Sequence, residues 1–204
     1  MLKRTKIVSL LEADQPIEKV LVKGWVRTRR DAKDFSFIEL NDGSSLKNIQ
    51  IIANNNLSNY EEVKKITTGS SLAVTGALVE SKGGNQKYEI VAGEIEIYSL
   101  APDDFPLQKK KHTDEYLRTI AHLRPRTNKY GAAFRVRSEL SFAIHKFFND
   151  RGFRYVHTPI ITGSDCEGAG EMFQVTTLDL NNVPKLPDGS VDYSKDFFGK
   201  AAHL

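Results

Sequence analysis

The sequence predicts a five-stranded β-barrel over residues 1–102, followed by the opening of an α/β domain over residues 131–204. Five short runs between Val20 and Tyr98 are rich in β-branched and aromatic residues and alternate, in part, with period two. One stretch with helical spacing, residues 57–66, falls between the third run and the fourth. Beyond Pro102 and Pro106, apolar residues recur instead at three- and four-residue steps, the period of a helix.

Residues 1–16 start basic and carry a short apolar patch. Glu12 and Asp14 interrupt it and no small-residue cleavage site follows, so a short amphipathic helix is expected rather than a secretion signal. The first strand, 20–27, holds Trp25 among valines. The second, 35–40, runs Phe35-Ser36-Phe37-Ile38-Glu39-Leu40 into the turn Asn41-Asp42-Gly43-Ser44-Ser45. The third, 48–53, stops at Asn54-Asn55-Asn56, after which Leu57, Tyr60, Val63 and Ile66 share a helix face. The fourth strand is 71–79. A Gly83-Gly84-Asn85 turn leads to the fifth, 88–98, where Glu94-Ile95-Glu96-Ile97 alternates clearly. Three strands, a helix and two strands is the order of an OB-fold barrel, which binds oligonucleotides on the face of its second and third strands. An unrelated small barrel with the same count satisfies the order as well.

Residues 103–130 are expected to form a linker or hinge: prolines punctuate its approach, Lys109, Lys110 and Lys111 follow, and a short helix is expected over about 112–121. Ala133, Val136, Leu140, Ala143, Ile144 and Phe147 then mark the strongest helical pattern in the chain, with Gly152 as its stop. Residues 153–158 look like a strand ending at Pro159, which cannot donate to a ladder. A further strand is expected over 172–177 and a surface loop over 181–195.

With 40% hydrophobic and 27% charged residues, the 204-residue chain is of ordinary globular composition, which excludes wholesale disorder. No apolar run approaches the ~20 residues that cross a bilayer, so no membrane partner is expected. The single cysteine, Cys166, excludes an internal disulfide and fits a reducing cytoplasm. A net charge of +3 is too mild to demonstrate nucleic-acid binding. Its distribution says more: Arg27, Arg29, Arg30 and Lys33 crowd one strand end, although a solvated surface explains such a cluster equally well.

Several chemistries are excluded. The five histidines show neither i,i+4 pairing nor a Cys-x-x-Cys companion, so no protein-ligated metal is expected. Cys166 has no histidine in a nucleophilic arrangement. Gly168-Ala169-Gly170 begins like a dinucleotide fingerprint, but Phe173 stands where its third glycine belongs. Two constellations remain. Arg30, Phe37 and Gln50 combine a cation for phosphates, a flat ring on which a base can stack for ~1–3 kcal/mol, and an amide for base edges. The pattern leaves Phe37 open as a core residue, with Phe35 competing for the outward place. In the second, small residues flank Glu167, so that its carboxylate can clamp an ammonium group; a surface-loop acid is the plainer reading.

Gly24-Trp25-Val26-Arg27-Thr28-Arg29-Arg30-Asp31, followed by residues 35–43, resembles the anticodon-binding barrel of the aspartyl/asparaginyl/lysyl group of class II tRNA synthetases. His122-Leu123-Arg124-Pro125-Arg126-Thr127-Asn128, Glu167-Gly168-Ala169-Gly170-Glu171-Met172-Phe173 and Asp196-Phe197-Phe198-Gly199-Lys200 are similar to the asparaginyl branch, and residues 152–162 to class II motif 1. These blocks cover nearly the whole chain in the right order.

The resemblance implies an OB barrel joined to the start of a class II antiparallel-sheet catalytic domain. By position Phe37 matches an aromatic that stacks on an anticodon base, Gln50 the polar reader beside it, and Arg30 a basic anticodon contact. Glu167 matches the acid that receives the amino acid's α-ammonium, and Pro159 with the helix before it a homodimer interface. The implied reaction is asparagine–tRNA ligation, in which ATP and asparagine form an adenylate, with Mg2+ on the triphosphate, and the acyl group passes to tRNA. The motif 2 and motif 3 arginines have no match in these residues and are expected downstream of Leu204. The 204-residue chain is therefore expected to be inactive in asparagine-dependent ATP–pyrophosphate exchange. The alternatives are a stand-alone RNA-binding OB module and an aspartyl-type synthetase; the segment 122–127 argues against the latter.

Overall fold

A computed structural model describes residues 2–84, 86–164 and 171–204. The chain divides into two compact units, Met1–Phe142 and Ala143–Leu204.

The first unit is built on five strands, β1 (Ile17–Asp31), β2 (Phe35–Asn41), β3 (Ile49–Asn54), β4 (Ser71–Glu80) and β5 (Tyr88–Ser99), closed in the order β1-β2-β3-β5-β4. All pairs are antiparallel except β3 with β5. A parallel pair needs a crossover, and here the short helix α2 (Tyr60–Val63) and β4 supply it. The predicted helix over 57–66 is thus largely turns around a single short α-segment. β1 is 15 residues long because it serves two neighbours: Ile17 to Trp25 pair with β4, and Trp25 to Asp31 with β2. Register shifts between Val26 and Thr28, and between Thr75 and Gly76, mark bulges that bend strands into closure. At Gly76 the backbones run so close that a Cβ would stand 2.2 Å from the Val91 carbonyl oxygen.

Alternation decides which side chains fill the barrel. Ser36, Ile38 and Leu40 of β2, and Ile49, Ile51 and Ala53 of β3, point inward and are fully buried. They meet Val22, Val26, Leu72, Val74, Leu78, Tyr88 and Ile90 in one core. The helix α1 (Ile7–Leu11) adds Ile7 and Leu10 to the same core. Its first amides are capped across the fold, Ile7 N donating to Asp42 Oδ2 at 3.1 Å and Val8 N to Ser44 Oγ at 3.0 Å. Burial alone would raise the Asp42 pKa. The Ser44 hydroxyl and amide, the Ile7 amide and Arg4 outweigh it and hold the carboxylate below its ordinary value.

After the barrel the first unit carries α3 (Asp114–Thr119), capped by the Thr113 side chain accepting from Tyr116 N. A helix, α4 (Asn128–Asp150), then runs for 23 residues. Thr127 caps its start by accepting from Tyr130 N. Gly152, with φ at 88°, ends it: Gly152 N donates to Asn149 O, Phe153 N to Phe148 O, and the Phe148 and Phe153 rings meet at 5.5 Å. That is a Schellman ending with its apolar contact, as the glycine foretold.

In the second unit, residues 153–158, expected as a strand, form none and pair with no strand among the described residues. The predicted strand 172–177 shrinks to β6 (Gln174–Val175), paired antiparallel with β7 (Ala202–His203). Asp196 organises this unit, accepting from Thr176 Oγ1 at 2.6 Å, Thr177 N at 2.9 Å, Thr177 Oγ1 at 2.9 Å and Phe197 N at 2.8 Å. The Thr176 hydroxyl and the Thr177 amide are the main reasons its pKa falls to about 2.

Candidate nucleic-acid interface

The outer face of β1, β2 and β3 follows from the same alternation that builds the core. With Ser36, Ile38 and Leu40 inside, Phe35, Phe37 and Glu39 must stand outside. Phe35 and Phe37 are two apart on one strand and share a face, so they do not compete for the outward place and Phe37 is not a core residue. Across β2–β3, Phe37 lies opposite Ile52, Glu39 opposite Gln50, and Phe35 opposite Asn54. Across β1–β2, Arg30 lies opposite Phe37 and Thr28 opposite Glu39. Arg30, Phe37 and Gln50 therefore meet on one patch of sheet, brought together by register rather than by sequence proximity.

Within that patch the Arg30 guanidinium lies over the Phe37 ring, 4.6 Å from its centroid. The Phe35 ring meets Phe37 at 4.9 Å and 88°, an edge-to-face pair. Gln50 Nε2 donates to Glu89 Oε2 at 2.9 Å. That carboxylate also accepts from Ser81 Oγ at 3.0 Å and is 5% exposed. With its amide nitrogen held toward Glu89, Gln50 leaves its amide oxygen to face another donor. Of the other members of this patch, Phe35 was weighed in the sequence only as a rival to Phe37, and Glu89 was not singled out. Phe35 was legible from its two-residue spacing to Phe37. Glu89 was not, because its partner lies on β3, far from it in the sequence.

The three arginines at the end of β1 have different fates. Arg29 is tied to Asp31 Oδ1 at 2.8 Å, and Asp31 in turn accepts from Ser36 Oγ at 2.6 Å. Arg27, at the bulge, turns to the start of α4 and donates to the Arg126 carbonyl and to Asn128 Oδ1. Burial lowers its pKa, Glu39 opposing and Arg126 adding to that effect. Among the described residues the Arg30 side chain forms neither an ion pair nor a hydrogen bond.

The remaining predicted site residues lie elsewhere. Pro159 is exposed in the second unit, and Glu167 falls outside the described residues. Two further cation–ring contacts follow the barrel, with Arg126 4.8 Å from the Trp25 ring and Arg124 5.1 Å from the Tyr130 ring.

Known proteins align with both parts. Residues 20–98 match an OB-fold nucleic acid binding domain, and residues 113–193 match tRNA synthetases class II (D, K and N). An asparagine–tRNA ligase of Acetivibrio thermocellus is 60% identical over 188 residues, covering 92% of this chain and 40% of the relative. One from Oleidesulfovibrio alaskensis is 57% identical over 204 residues, covering 100% of this chain and 44% of the relative. The chain thus spans about two fifths of the length of such relatives. Among solved structures, asparaginyl-tRNA synthetase from Pyrococcus horikoshii complexed with asparaginyl-adenylate superposes with a TM-score of 0.77 at 23% identity, over 100% of this chain and 43% of that one. At that identity the likeness is one of fold.

Proposed function

Because this chain belongs to the class II tRNA synthetases of the D, K and N group, we propose that it is the anticodon-reading and motif 1 part of an asparagine–tRNA ligase. The single observation that carries the reading is the outward Phe37 between Arg30 and the β3 residues of the barrel face. An unpaired base needs a flat apolar surface, and Phe37 offers its ring. A base edge needs a fixed hydrogen-bonding group, and Gln50 is fixed by Glu89. Phosphates need a cation, and the Arg30 side chain, which lies over Phe37, has no ion pair or hydrogen bond among the described residues.

Glu167 is the group we assign to the amino acid's α-ammonium, and Pro159 with α4 the surface we assign to a homodimer. Val136, Leu140, Ile144 and Phe147 form the helix's apolar stripe and are at least half exposed, as a helix awaiting a partner would have them. The ligase reading brings ATP and Mg2+ with asparagine and tRNA. Among the described residues no three His, Cys, Asp or Glu side chains converge, and the arginines that grip the triphosphate in this family have no match here. No step is therefore assigned to either group. A cytoplasmic site of action accompanies this reading; no helix among the described residues is long and apolar enough to cross a membrane.

The test is a titration of the chain with anticodon stem–loops in which the second and third anticodon bases are varied. Binding that is tightest for the asparagine anticodon and falls when either base changes is expected. Equal binding to every loop would leave a generic RNA-binding barrel instead.

A further inference from the structure

The cation over Phe37 raises a question that the stacking reading leaves open: the ring face a base would use is already covered. Register makes this more than a chance side-chain placement. Arg30 and Phe37 are directly opposed on adjacent antiparallel strands and share the outer face, which brings their side chains within contact. The neighbouring arginines are held elsewhere, Arg29 by Asp31 and Arg27 by Arg126 and Asn128, while the Arg30 side chain has no partner but the ring among the described residues. Phe35 is packed edge-to-face against Phe37 on the same strand and belongs to the sheet's own surface. Of the groups touching the ring, only the exposed Arg30 side chain is free to leave.

We propose that in the RNA-free chain the Arg30 guanidinium holds the place on Phe37 that an unpaired base takes, and that the arriving base expels it onto a phosphate. A guanidinium is planar, weakly hydrated and able to lie flat on an aromatic face, so it covers the ring as a base would. Its hold is weak at an exposed site, and displacing it costs a factor of about 2–5 in affinity. The released cation regains more than this by a charge-assisted contact with a phosphodiester. The exchange keeps an exposed aromatic ring covered between encounters. It also makes uncovering the ring depend on a ligand that carries both a base and a phosphate. This inference rests on the anticodon-binding reading of the same face.

The experiment is NMR on the whole chain with 15N-labelled arginine, following the Arg30 Nε–Hε signal. In the free protein that proton is expected to be shifted upfield by the Phe37 ring, and Phe37→Leu is expected to abolish the shift. Saturation with the asparagine anticodon stem–loop should abolish it in the unaltered chain too. Arg30→Gln should then reduce the slope of log affinity against log salt by about 0.7, one single-strand phosphate contact. No upfield shift in the free chain, or a shift that persists at saturation, overturns the exchange while leaving anticodon binding intact. Absence of saturable binding instead removes the anticodon reading, and the exchange with it.

Discussion

The barrel and the second unit draw on similar proportions of apolar residues and use them in opposite ways. In the barrel, five alternating strands close on themselves, and side chains such as Ile38, Leu40 and Ile51 are completely buried. In the second unit, Phe153, Tyr155 and Val156 are 61%, 72% and 72% exposed, and of its described residues only Asp196 and Ala202 are buried. A closed sheet supplies both its hydrogen-bond partners and its own core. A long amphipathic helix and lone extended segments supply faces only, and their energy comes from whatever covers them.

That contrast can be broken by substitutions that shrink or crowd each region. The largest effect is expected for Leu40→Ala, which empties a fully buried site and should cost ~2–5 kcal/mol in chemical denaturation of the barrel. Gly76→Ala comes next, since its Cβ would press on the Val91 backbone; a loss of ~1–3 kcal/mol is expected by the same measurement. If neither moves the unfolding midpoint, the barrel is not the stable unit described here.

Acid sharpens the comparison from the other side. Asp196 has its folded pKa lowered from 3.8 to about 2, so its contribution is fully present above 3.8 and is lost as pH falls through about 2. Hydrogen exchange is expected to show residues 174–177 and 196–203 losing protection over that window in the unaltered chain, and already at neutral pH in Asp196→Ala. Unchanged protection would assign the unit's order to something other than this carboxylate. The smallest effect is expected for Ile144→Ala, 57% exposed on α4, where the change in the isolated chain's stability should stay under ~0.5 kcal/mol by denaturation. A loss approaching that of Leu40→Ala would mean that the helix face is covered after all.

The same contrast explains what could be read from the sequence. The barrel strands announced themselves by composition, partial alternation and bounding turns, and so did the helix with a glycine stop, because local periodicity and turn chemistry encode them. Residues 153–158 are composed like a strand too, yet form no ladder among the described residues, since pairing depends on a second strand that local pattern cannot supply. The outward position of Phe37 was decidable from β2 alone once Ser36, Ile38 and Leu40 were taken together as its inner face. The hold of Glu89 on Gln50 and the bonds of Arg27 to Arg126 and Asn128 were not, because each joins residues far apart in sequence through tertiary folding.

The most direct test of the barrel face as a base-reading surface pairs two readings on Phe37→Ala: affinity for the asparagine anticodon stem–loop, and the midpoint of chemical unfolding. A binding loss of ~1–3 kcal/mol with the midpoint essentially unchanged is the expected result, because the ring lies outside the core. Unaltered binding with a collapsed midpoint would contradict it.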